Sequence, residues 1–280
     1  MLNIIRADLY RILRGKGFYI TLILLIAFIA LNTGAQGGVQ LFTVSYTGEN
    51  EANTITTAVN ENVKIEKGIA PAVPTFTGTE SMSNTDLYLY FLLPFIVFIA
   101  AADFSTYTAK NVLSNGMPRV KYYFSKLILS GIFCLCILIL NILIPIIITA
   151  IITSIIPNLN VNVDVNFVNL IKPFFAQLFL CISVMCVGIF FIFTTKKTAA
   201  VNGAYIAFCF LPLMIMFILY QINNKLQFLF NYDVISNIRM FAEINTAASG
   251  DIIRAFAIGA FYMLASIIGG ILIFRKSEIK

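Results

Sequence analysis

Long apolar runs alternate with short polar ones along this chain. Six of the runs could each cross a hydrocarbon core as a helix, which takes about 20 residues. They cover residues 18–35, 87–103, 127–156, 174–194, 199–222 and 253–274. The third is longer than one straight perpendicular span requires and contains Pro145, which predicts a tilt or a kink. Only Lys196 and Lys197, with short flanks, part the fourth run from the fifth, so these two form a tight helical hairpin.

The segments between the spans differ in character. Before the first, residues 1–16 place Leu2, Ile5, Leu9, Ile12 and Leu13 at helical spacing. Arg11 and Arg14 fall on the opposite side, with Arg6 and Asp8 near the boundaries. Such an amphipathic helix can lie in the headgroup plane with its basic side on anionic lipid. It serves either as a plain flank that sets topology or as part of a docking surface. Residues 36–86 form a long loop rich in Thr and Asn, in which 39–46 and 72–77 have strand character, so partial order with a short strand pair is expected. Residues 223–251 carry too many apolar side chains for a solvated loop (Leu226, Phe228, Leu229, Phe230, Met240 and Phe241 among them), which predicts short helices on or dipping into the outer leaflet.

Composition agrees with this pattern. Hydrophobic residues are 59% of the 280 and charged residues 11%, with a mean hydropathy of +0.90. An ordinary soluble domain is roughly 25% charged. The expected fold is therefore all-α: a polytopic membrane protein with six transmembrane helices. With the N-terminus inside, the cytoplasmic segments hold thirteen of the 19 basic residues, whereas ten of the 13 acids fall on external segments. Basic residues resist translocation, so both termini are assigned to the cytoplasm and 36–86 becomes a large external loop. The net charge of +6 is then a mark of topology, and no nucleic-acid partner is implied. Thr33, Gly34 and Ala35 after the first run faintly resemble a signal-peptide cleavage site, but the long basic region before it favours an uncleaved span.

Little catalytic chemistry is on offer. All five cysteines lie in predicted spans at positions suited to packing, and there is no His, so neither a disulfide framework nor a metal site is expected. No paired intramembrane acids, HExxH or GxxxxGK[ST] occurs, so no catalytic residue is assigned and the chain has no Walker site for ATP. Asp103 closes the second span, where capping or pairing with a loop cation is its expected role. Asn141, Gln177 and Asn202 sit in apolar surroundings. Hydrogen bonds between helices suit them better than substrate contact, for which they are the available candidates.

The polar island 104–126 between the second and third spans carries the most specific signal. Residues 107–113 suit a short helix, Ser114-Asn115-Gly116 a turn, and Met117-Pro118-Arg119 a helix start leading into a basic and aromatic run. Such a helix, turn and helix can sit in a groove of a soluble partner and push two membrane helices together. The arrangement resembles the permease subunits of type-2 ABC exporters. The resemblance lies in Asp103, Thr108-Ala109-Lys110-Asn111-Val112-Leu113, Ser114-Asn115-Gly116, and Met117-Pro118-Arg119 followed by Tyr122, Tyr123, Ser125 and Lys126. Pro118 stands where that family often has Ser or Thr. The ending Phe274-Arg275-Lys276-Ser277-Glu278-Ile279 and the six-span layout are also similar, and the nearest look is to small Gram-positive permeases for antimicrobial-peptide export or immunity.

The resemblance implies a half-transporter in a bacterial plasma membrane, paired with a second copy or a paralogue. Cytoplasmic ABC ATPase subunits, holding ATP and Mg, would dock on it. Arg6, Arg11, Lys110, Asn111, Ser114, Gly116, Arg119, Tyr122 and Lys126 would couple to that ATPase. With no charged residue deep in the spans, an amphipathic peptide or lipid-like substrate fits best. A membrane sensor or assembly module with a ligand-binding external loop, and an autonomous secondary carrier, are the alternatives.

Overall fold

The computed structural model describes residues 2–44, 75–76, 82–155, 162–163, 167–223, 228–229 and 231–276. They form an all-helical bundle with six helices long and apolar enough to cross a membrane. In hydrocarbon a chain must satisfy its own backbone hydrogen bonds, which a helix does within one segment. Helix α1 (Leu2–Arg14) leads through Gly15 into α2 (Lys16–Val44). Then come α3 (Thr85–Ser105), the short α4 (Thr108–Ser114), α5 (Arg119–Ile155), α6 (Phe167–Thr195), α7 (Thr198–Ile222), the short α8 (Val234–Met240) and α9 (Ser249–Lys276). Lys196, at a φ of 54°, turns the α6–α7 hairpin in the left-handed region.

Helices α3 and α6 are the inner members, and α6 packs against α9, α5, α7, α3 and α8. Close approach relies on small residues. A Cβ at Gly259 of α9 would lie 2.5 Å from Leu180 of α6, and one at Gly188 of α6 the same distance from Ile96 of α3. Ser183 donates to the Gly259 carbonyl at 2.9 Å, adding a hydrogen bond at this α6–α9 crossing. Within α3, Pro94 removes a backbone donor and the helix widens to π geometry over Val97–Ala101. The extra residue in that turn rotates the last turn of α3, and Asp103 faces the interior.

Several boundaries move from those expected. The first span was expected to end at residue 35 and 39–46 to be strand, yet the chain is helical to Val44, where the backbone finds its hydrogen bonds within one segment. Thr75–Phe76 does pair, but in parallel with Asn162–Val163, outside the 36–86 loop. Residues 45–74 lie outside the described residues. The second half of the island is the start of a 37-residue α5 that runs unbroken through Pro145. At 1.5 Å per residue it is about 55 Å long and must project beyond a core of about 30 Å. The 223–251 segment holds α8 and a 3-10 turn at Phe241–Glu243, as short helices were expected there. Val234, Ile235, Ile238 and Phe241 are buried against the bundle.

Candidate functional site

At the end of the bundle that carries α1, four charged side chains from three helices meet. Lys126 of α5 lies with Nζ 2.6 Å from Asp8 Oδ2 of α1 and also pairs with Asp103 of α3. Arg11 pairs with Asp103, and its other nitrogen is 3.4 Å from Asp8 Oδ1. Tyr122 donates its hydroxyl to Asp103 Oδ2 at 2.5 Å, and its ring lies under the Lys126 ammonium at 5.1 Å. Lys126 is 0% exposed and Asp103 1%. Two cations against two anions leave the cluster neutral, the condition under which such burial is tolerable. Burial pushes the Asp8 carboxyl above its usual range, outweighing the downward pull of Lys126.

Local sequence explains the geometry. Asp8 and Arg11 are one turn apart on α1, with Ile12 buried and Ile5 and Leu9 packed on the core. The apolar side of α1 is therefore turned to the protein, and Asp8 goes inside with it, while Leu13 stays 41% exposed. Aromatic rings close the cluster off. Phe193 of α6 packs on Tyr123 at 4.8 Å, Phe274 at 4.6 Å and Phe104 at 5.4 Å between ring centroids. Arg119 donates to the carbonyls of Phe274 and Arg275 at 2.9 and 2.8 Å, tying the start of α5 to the end of α9.

The residues assigned to partner coupling thus divide. Arg6, Lys110, Asn111, Ser114 and Gly116 are exposed, and Gly116 turns the chain at a φ of 86°. Tyr107, at a φ of 58°, starts α4 and is 62% exposed. Tyr122 and Lys126 are internal, Arg11 is turned inward, and Arg119 is half-buried, so their side chains act within the protein. Asp103 pairs as its position suggested, with Lys126 of the 104–126 island, and also with Arg11 of α1. Asp8 and Phe193 were missed. The signal for Asp8 was an acid set beside Ile5, Leu9 and Ile12 with Arg11 one turn on.

The candidates for substrate contact also divide. Asn141 and Gln177, fully buried, join Thr85 in a network at the opposite end of the bundle. Asn141 Nδ2 donates to Thr85 Oγ1 at 3.0 Å, and Thr85 to Gln177 Oε1 at 2.9 Å. Gln177 Nε2 donates to the carbonyls of Met82 at 2.8 Å and Ile238 at 3.0 Å. Asn202, in contrast, is exposed on α7. An apolar groove of about 600 Å³ runs between α6 and α7, lined by Phe191, Phe208, Leu211 and Met216 among others. Among the described residues no group of His, Cys, Asp and Glu is arranged to hold a metal. No family model matches the sequence, and no curated protein matches it.

Proposed function

We propose that this chain is the membrane-spanning permease subunit of an ATP-driven exporter, with its α1 end in the cytoplasm and a separate ATPase as its motor. The carrying observation is the buried cluster of Asp8, Arg11, Asp103 and Lys126, which fastens the exposed helix α1 to α3 and α5. Helix α4, with its turn, directly links α3 to α5. A partner that grips the exposed surfaces of α1 and α4 therefore holds short handles on two spans. Arg6, Tyr10, Arg14, Lys110, Asn111 and Gly116 are accessible for that grip. The two acids of this region are buried and neutralised, so the handle is cationic and suits an acidic groove.

In the mechanism, ATP and Mg bind to the partner. Closure of the ATPases moves α1 and α4, and the buried cluster passes that displacement to α3 and α5 without slack. A second copy or paralogue completes the path, and the apolar bundle favours an amphipathic substrate drawn from the bilayer of a bacterial plasma membrane. The test is purification of the chain from its native membrane. A stoichiometric ATPase should accompany it, and Lys110→Glu with Arg14→Glu should abolish the association while the chain stays folded. Recovery of no ATPase, or substrate movement in liposomes without nucleotide, would overturn the reading, and the latter would favour an autonomous carrier.

A further inference from the structure

We infer that the short helix α8 is a lid over the end of the bundle away from α1, whose hydrogen-bonded tie to the spans is the side chain of Gln177. Helix α8 is a self-contained unit. Asp233 caps it by accepting from the Ser236 N–H at 2.9 Å and the Ser236 hydroxyl at 3.0 Å, and Asn237 bonds back to the Asn231 and Asp233 carbonyls. Its Val234, Ile235 and Ile238 pack into the bundle, and Arg239 attracts the carboxylate of Asp86 in the first turn of α3 without closing to an ion pair. The polar tie from a span is the carboxamide of Gln177, which reaches Ile238 of the lid and Met82 beside α3 with its two N–H groups. Its oxygen is held by Thr85, so the carboxamide is fully engaged only while the lid is down.

The tie continues into a polar node with Thr85 and Asn141. Asn141 Oδ1, joined to this tie through Thr85, is buried with no hydrogen-bond partner among the described residues. Use of this lid as the outward gate rests on the exporter reading, whereas its fastening does not.

Hydrogen exchange of the full chain in lipid nanodiscs tests the inference without any ATPase. Gln177→Leu should speed exchange of the amides at 234–240 by about tenfold, the effect of losing one buried hydrogen bond. Exchange in α6 and α9 should stay as in the wild type. Asn141→Leu, which leaves the tie to Ile238 intact, should change exchange at 234–240 less than about twofold. Unchanged exchange in Gln177→Leu would overturn the lid. So would an equal rise through α6 and α9, or an equal effect of both substitutions. A positive result in a chain that recruits no ATPase would remove the exporter reading and leave the lid standing.

Discussion

Lys126 of α5 meets Asp8 of α1 with 2.6 Å between Nζ and Oδ2, and the lysine has no exposed surface at all. A lysine so placed cannot be a contact for a soluble partner. It is an internal strut, shared with Asp103, whose removal leaves two buried carboxylates facing one Arg11. Lys126→Met should therefore cost about 3–5 kcal/mol, in the range for breaking a buried pair. Adding Asp103→Asn to Lys126→Met restores the charge balance and should recover part of that loss. Thermal unfolding of Lys126→Met, Asp103→Asn and the double variant in detergent measures the coupling.

Arg119 holds the end of α9 through two carbonyls and lies over the Phe274 ring at 5.9 Å. Hydrogen bonds from a charged donor contribute about 1.5–3 kcal/mol. Arg119→Met should free the last turn of α9, seen as faster amide exchange at 272–276, with α6 unaffected. Arg119→Lys should rescue only in part, because an ammonium lacks the flat guanidinium face that lies over the Phe274 ring.

Gly270 and Gly203 give opposite signs for the same substitution. A Cβ at Gly270 would press on the ring and hydroxyl of Tyr123, which is fixed by its bond to the Ser266 carbonyl. Gly203 has nothing within 4 Å of that position. Gly270→Ala should destabilise by about 1–3 kcal/mol through overpacking. Gly203→Ala should be neutral or stabilising by up to about 1 kcal/mol through helix propensity. Melting temperatures of the two variants check the contrast.

Much of this architecture was legible because apolar run length and helix period are local properties. The six spans, the α6–α7 hairpin and the Gly116 turn all arise from short stretches of sequence. Less legible was which way each polar side chain points. Asp103 reads as a helix-end acid, but the π-helical turn at Val97–Ala101 decides that it faces inward. Lys126 reads as an interface cation among aromatics, yet the start of α5 at Arg119 puts it one to two turns inside a helix. Gln177 and Asn141 read as interhelical bonding groups, and they are. Their common partner, Thr85, lies at the very start of α3 and two residues before the expected boundary, where hydropathy carries no signal. Pairings across more than 50 residues depend on tertiary packing that no window of sequence contains.

Asp8 gives the α1 attachment a pH dependence of defined sign. Arg11, Asp103, Lys126 and Tyr122 face it or its partners, and burial still dominates, raising its carboxyl above the ordinary 3.8. A carboxyl raised in the folded state binds its proton more tightly there than in the unfolded chain. Its contribution to stability is therefore complete below the ordinary value and is lost as pH rises through the raised one. Acidification from neutral pH to about 4 should strengthen the hold on α1 through this group. Asp8→Asn should remove that component, since a neutral amide carries no ionic desolvation penalty, although it leaves Lys126 and Arg11 facing Asp103 alone. Amide exchange at 5–14, compared between wild type and Asp8→Asn at the two pH values after correction for intrinsic rates, isolates the effect from other carboxyls. Equal pH dependence in both proteins would show that Asp8 is ionised without penalty.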